Sequence, residues 1–143
     1  MIEGVKCIPL VVRSDDRGDL IEILRANDPH FTKFGQVYFV RTRKAGTIRA
    51  FHRHKELYDW FYISHGMAKF ILWDDNEICE FVIGEHNPCI LVVPPGVYHG
   101  WMALVDNTHL ISTASEVYNR ENPDEERVSP YRIGTDMWGI KAK

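Results

Sequence analysis

No run of about 18 apolar residues occurs in this 143-residue chain, so no segment is a candidate membrane-spanning helix. Sustained helical periodicity is also missing, which argues against a helical bundle or coiled coil. Positive charge is not in excess. The 17 Lys and Arg stand against 20 Asp and Glu, a formal net charge of −3, and no general electrostatic case exists for a nucleic-acid partner. Cysteine is scarce. Cys7, Cys79 and Cys89 are odd in number and show no close pairing pattern, which excludes a disulfide framework and points to a reducing compartment. The first residues, Met1 to Pro9, lack a basic region followed by an apolar stretch and do not read as a signal peptide. The expectation is a cytoplasmic protein without a membrane partner. Repeats and low-complexity segments are absent, and the length fits a single domain over residues 1–143.

What is present is a series of short runs rich in Val, Ile, Phe, Tyr and Trp, the residues that favour strands. They fall at Cys7–Val12, Asp19–Leu24, Gln36–Thr42, Thr47–His54, Trp60–Ser64, Met67–Trp73, Ile78–Ile83, Cys89–Val93, His99–Ala103 and His109–Val117. Turn signals separate them, among them Lys44-Ala45-Gly46, Asp74-Asp75-Asn76 and Pro94-Pro95-Gly96. Met67–Trp73 and Ile78–Ile83 read as the arms of a β-hairpin. The pattern predicts an all-β sandwich or barrel. One short helix is expected near Pro123-Asp124-Glu125-Glu126-Arg127, where proline and acidic residues suit a first turn. The tail from Ser129 is expected to pack across the body.

Chemistry concentrates between Gly46 and Gly66, which enclose His52, His54 and Asp59, with His99 following Pro94-Pro95-Gly96. Side chains two apart on a strand share a face, so His52 and His54 point the same way. Neutral imidazoles and a carboxylate meeting at one point would hold a divalent metal. A histidine that titrates near neutral pH is equally suited to general-base work. Abstracting a proton from carbon requires a neighbouring carbonyl, and the enolate oxygen then needs a donor or cation. Arg49, His54 and Lys55 flank His52 and are candidates. Asp59 stays open between metal ligand, histidine-orienting partner and surface carboxylate. Tyr118 is either an acid or a hydrogen-bonded core tyrosine.

The spacing of His52, His54 and Asp59 between the two glycines is similar to the first cupin motif, Gly-x5-His-x-His-x4-Glu-x6-Gly, with Asp in place of Glu. Pro94-x-Gly96-x2-His99 keeps part of the second motif. Most of the chain resembles the cupin nucleotide-sugar isomerases: the dTDP-4-dehydrorhamnose 3,5-epimerase family and the related sugar 3,4-ketoisomerases. Asp16-Arg17-Gly18 through Glu22, Gln36, Ile48-Arg49-Ala50-Phe51-His52, Val93-Pro-Pro-Gly-Val-Tyr-His99-Gly100 and Glu116-Val-Tyr118-Asn119 carry the resemblance. His52-Arg53-His54 is also similar to the paired histidines of the ketoisomerases.

The resemblance implies a double-stranded β-helix, or jelly roll, and an isomerase of a nucleotide-linked 4-keto-6-deoxy sugar in polysaccharide or deoxysugar biosynthesis. It makes His52 the base and Tyr118 the acid. Arg17 and Arg49 would contact the diphosphate or sugar, Gln36 would line the pocket, and His99 would be a second pocket histidine. A homodimer is expected and no cofactor. The family's lysine, seven residues before the glycine matching Gly66, is Asp59 here. Its late aspartate, which orients the base, has only Asp124 and Asp136 as weak candidates. Two alternatives remain: a divalent-metal cupin enzyme with His52, His54, Asp59 and His99 as ligands, and a non-catalytic sugar-binding cupin.

Overall fold

The computed structural model describes Met1–Lys143, and every regular element in it is a strand. In chain order these are β1 (Lys6–Pro9), β2 (Val12–Asp15), β3 (Gly18–Ile21), β4 (Gln36–Thr42), β5 (Ile48–Arg53), β6 (Asp59–His65), β7 (Met67–Trp73), β8 (Ile78–Gly84), β9 (Cys89–Val93), β10 (Tyr98–Ala103), β11 (Thr108–Ala114) and β12 (Glu126–Arg127). Two five-stranded sheets form, ordered β1-β9-β6-β11-β4 and β12-β5-β10-β7-β8, and all pairings are antiparallel. From β4 onward successive strands cross between the sheets, except for the β7–β8 hairpin. The strand pattern predicted an all-β sandwich or barrel, and this is the jelly roll that the family resemblance implied.

The hairpin register runs from Met67↔Gly84 to Trp73↔Ile78. Its turn is held by the Asp74 carboxylate, which accepts from the backbone N–H groups of Asn76 (2.8 Å) and Glu77 (2.9 Å). The expected strand Cys7–Val12 is divided: β1 joins the first sheet, while β2 pairs only with β3 in a separate two-stranded ribbon. The helix expected at Pro123–Arg127 does not form. Glu126 and Arg127 instead pair with Arg53 and His52 as β12, because the edge of β5 offers unpaired backbone groups there.

The sheets face each other across a core that includes Phe61, Ile63, Phe70, Leu72, Leu91 and Trp101. Several strands are buried on both faces, which is why β6 and β7 read as nearly continuous apolar runs. Trp60 and Tyr62 lie on the outside of the first sheet, covered by Ile8, Leu10, Ile23, Leu24 and Phe31. Phe51, Ile71 and Tyr98 lie on the outside of the second sheet beneath the C-terminal tail, as the sequence led us to expect. Trp138 rests on Phe51 with ring centroids 5.4 Å apart and donates its indole N–H to the Pro130 carbonyl (2.8 Å). The buried Lys69 ammonium donates to the Gly139 carbonyl (3.1 Å) and pairs with Glu80 (3.4 Å).

Candidate active site

Strand parity places the histidines. Phe51 points outward into the tail's apolar cluster, so His52 points into the space between the sheets. His52 lies directly opposite His99 in the β5–β10 ladder. The register then shifts at a bulge between His99 and Trp101, which places Gly100 against β5. Pro94-Pro95-Gly96 delivers His99, with Gly96 at φ 86° and its N–H bonded to the His54 carbonyl (2.8 Å). Asp59 opens β6 between Val93 and Ala114 and is only 2% exposed, so the surface-carboxylate reading does not hold.

Two connected lobes result. The inner lobe, about 190 Å³, is lined by Tyr38, Arg49, His52, His54, His99 and Glu125, with Val40, Trp101 and Leu110 among the apolar walls. The outer lobe, about 470 Å³, holds Gln36, Asp59, Glu116, Tyr118 and Arg120, and shares Tyr38, His54 and Glu125 with the inner one. A polar groove of about 800 Å³ continues past Arg53, Lys55 and Pro95. Volumes of this range accommodate small-molecule ligands.

The His52 Nδ1 sits 2.6 Å from Glu125 Oε1. Burial alone would raise the Glu125 carboxyl, but Arg127 and His52 outweigh it and hold the group below the usual carboxylate range. An ionised carboxylate only accepts, so Nδ1 carries the proton and Nε2 keeps its lone pair. Glu125 is the residue that the sequence reading missed. It lies in the charged run Pro123–Arg127, whose proline and acidic residues suggested only a helix start, and neither weak aspartate candidate takes its place. Asp124 instead accepts backbone N–H bonds from Lys55 (2.7 Å), Glu56 (2.9 Å) and Leu57 (3.2 Å). Asp136 belongs to the tail, beside Gly134 and Gly139.

His54 donates Nδ1–H to the Asp124 carbonyl (2.5 Å), and its Nε2 faces Asp59 Oδ2 at 3.2 Å. Burial pulls the His54 pKa down, but Asp59 and the Asp124 carbonyl overcome it and hold the imidazole above its ordinary value. A proton on Nε2 turns that contact into an ion pair. His99 also spends Nδ1–H on a carbonyl, that of Val97 (3.1 Å), and sets Nε2 3.4 Å from Asp59. Its burial brings it down to about 4, so it stays neutral. The three atoms His54 Nε2, His99 Nε2 and Asp59 Oδ2 lie within 4.8 Å of one another. His52, tied to Glu125, stands outside that group.

The remaining sequence candidates divide. Arg49 lines the inner lobe, its Nε donating to Thr42 Oγ1 (3.0 Å). Gln36 holds the Tyr118 backbone N–H (3.0 Å) at the rim of the outer lobe. Tyr118 is half exposed there and does not reach the lobe that contains His52. Lys55 lines the groove rather than either lobe. Arg17, ion-paired to Asp15 in the β2–β3 turn with its side chain 86% exposed, borders neither lobe of its own chain.

The model of the polysaccharide biosynthesis C-terminal domain matches residues 13–126, from β2 to β12. The chain belongs to this family. It is 34% identical to the spore coat polysaccharide biosynthesis protein SpsL of Bacillus subtilis, over 90% of this chain and 89% of that protein. It is also 34% identical to the probable low-salt glycan biosynthesis epimerase Agl13 of Haloferax volcanii, over 91% of this chain and 88% of that protein. Among solved structures, the sugar 3,4-ketoisomerase QdtA of Thermoanaerobacterium thermosaccharolyticum, in complex with TDP, superposes with a TM-score of 0.77 at 23% identity. The match covers 90% of both chains. The 3'-monoepimerase ChmJ of Streptomyces bikiniensis, in complex with dTDP-quinovose, does so with 0.83 at 18% identity over 97% of this chain and 75% of that one. At these identities the superpositions establish a shared cupin jelly roll.

Proposed function

We propose that this family member is an epimerase or ketoisomerase of a dTDP-type nucleotide-linked 4-keto-6-deoxy sugar, acting in polysaccharide or deoxysugar biosynthesis. The observation that carries the reading is the His52–Glu125 pair inside a lobe lined by Arg49 and His99. His52 Nε2 removes a proton from the carbon next to the C4 ketone. Glu125 holds the acting tautomer and stabilises the imidazolium that forms. Arg49 faces the same lobe with guanidinium donors free for the ketone oxygen or a phosphate. The outer lobe and the groove with Lys55 provide space for the nucleotide. Relatives bearing epimerase and polysaccharide-biosynthesis names support the class of reaction.

The test is deuterium uptake from D2O into dTDP-4-keto-6-deoxyglucose and related keto-sugars, followed by NMR. Exchange by the wild type that falls by about 10²- to 10⁴-fold in His52→Asn is the expected result. Absence of exchange on every such sugar removes the proposal.

A second reading rests on the convergence of His54, Asp59 and His99. Both imidazoles are fixed by a carbonyl at Nδ1 and direct Nε2 at one carboxylate oxygen, an arrangement that suits a divalent ion. These residues fit a three-ligand site, without the fourth ligand His52 that the motif spacing suggested. Such an ion would act as a Lewis acid on a substrate oxygen. Elemental analysis of protein purified without chelators decides: stoichiometric metal that is lost in Asp59→Asn supports this reading, and persistent absence of metal removes it.

We also propose a homodimer. β4 is an open sheet edge with Val37 and Phe39 about half exposed, and the β2–β3 ribbon presents Val11, Val12 and Leu20 to solvent. A two-stranded ribbon alone is marginal in water, and a second copy would cover both surfaces.

A further inference from the structure

Two histidines outside both lobes meet on the outer face of the first sheet. In β11, Leu110 points into the core, so His109 points outward. In β6, Ile63 points inward and Ser64 outward, and strict alternation would send His65 back towards the core. A bulge prevents this. The β6–β11 ladder pairs Leu110 with Ile63 but His109 with His65, so Ser64 is the extra residue and His65 turns to the side of His109. Their ring centroids lie 5.2 Å apart with the planes at 49°. Two imidazoles bound at about 2 Å to one tetrahedral ion hold their centroids about 5 Å apart.

The protonation of the pair suits such an ion. His65 Nδ1 lies 3.0 Å from Glu85 Oε2, which also accepts the Gly66 backbone N–H (2.6 Å). The Gly66 bond outweighs desolvation and, with His65 and His86 nearby, holds Glu85 below the usual carboxylate range. An ionised carboxylate only accepts, so Nδ1 carries the proton and Nε2 keeps its lone pair. A carboxylate behind one ring nitrogen is the usual support of a metal-binding histidine. On the other side of His109 stand the Phe39 ring, edge-on at 5.2 Å, and Arg41, its partner in the β4–β11 ladder. Desolvation, Arg41 and His65 hold His109 below its ordinary value, so it is neutral and able to ligate at pH 7. The Glu85 charge offsets that of Arg41.

We propose that His65 and His109 bind one divalent transition ion of the zinc, copper or nickel type, with Glu85 orienting His65 and water completing the coordination. Imidazole ligands suit these ions. The ion clasps β6 to β11 at the bulge, where their ladder is interrupted, and stabilises the folded chain by linkage. The site lies outside the His54–Asp59–His99 group and holds whichever reading of that group is correct.

The experiment titrates tag-free protein, stripped with chelator, with Zn2+ by calorimetry and follows the melting temperature with and without the ion. His65→Gln and His109→Gln should each lose one equivalent of zinc and the melting shift that comes with it. Glu85→Gln should weaken the same site by about 10- to 100-fold. The exposed His86, outside the pair, serves as control, and His86→Gln should titrate as the wild type does. Equal melting temperatures of all these proteins in chelator certify the fold. The surface equivalent should persist in Asp59→Asn, and a further equivalent lost only there belongs to the interior group and leaves the inference standing. A wild type that takes up no zinc overturns the inference. So do unchanged titrations in His65→Gln and His109→Gln, loss in only one of the two, equal loss in His86→Gln, or loss of all zinc in Asp59→Asn.

Discussion

Glu125 decides what His52 can do. Without an acceptor on Nδ1 the imidazole is free to place its proton on either nitrogen and to turn in the lobe. With the carboxylate 2.6 Å away the base is fixed in one tautomer. Glu125→Gln should lower turnover by about 10- to 100-fold with little change in KM, since the substrate contacts remain. Steady-state kinetics on the exchanging sugar would show it, and an effect on KM alone would contradict the orienting role. His99 makes a second prediction. Its burial holds the folded-state pKa near 4, against 6.5 for an unperturbed histidine. Between those values the unfolded chain binds a proton that the folded chain does not, so stability falls as pH drops from 6.5 towards 4, by roughly 3 kcal/mol at the limit. His54 acts in the opposite window: its raised pKa adds stability that is complete below 6.5 and lost as pH rises through the folded value. Urea denaturation across pH 4 to 6.5 should give a shallower slope for His99→Gln than for the wild type.

At the scale of the elements, Gly100 shows how tightly the two histidine strands are joined. A Cβ built there would stand 2.2 Å from the Ala50 Cβ and 2.8 Å from its Cα. The bulge in β10 therefore requires glycine for close approach rather than for an unusual φ. Gly100→Ala should push β10 away from β5, cost about 1–3 kcal/mol, and reduce activity more than stability because His52 and His99 move apart. Parallel melting and exchange assays test this, and a stable, fully active variant would refute it. Most elements were legible in the sequence because β-branched runs between strong turns leave few alternatives: the β7–β8 hairpin and strands Gln36–Thr42 and Cys89–Val93 lie where they were read. The segment Pro123–Arg127 was not legible. Its proline and acidic residues suit a helix start locally, and the neighbouring β5 edge decided otherwise.

For the whole molecule, the exposed β4 edge and the detached β2–β3 ribbon lead to a concentration-dependent assembly. Phe39→Lys should shift the protein towards monomer in sedimentation analysis without unfolding it, since Phe39 faces outward and is about half exposed. A wild type that is already monomeric at high concentration would remove the dimer. The tail links this scale to the site. It buries Trp138 over Phe51, and Glu125, the residue that leads into β12 just before it, reaches His52.

The amino-acid sequence by itself determined an all-β sandwich or barrel, through short β-branched runs and turn residues, and brought His52, His54, Asp59 and His99 to notice through spacing along strands and turns. Those are local properties, set by side-chain period and backbone preference. Only the tertiary structure decided that Glu125 orients the base and that Asp59 is buried between His54 and His99. Each depends on groups 30 or more positions apart in some cases, or on facing sheets in others, brought together by closing a hydrophobic core, and no local pattern records which distant side chain arrives within reach.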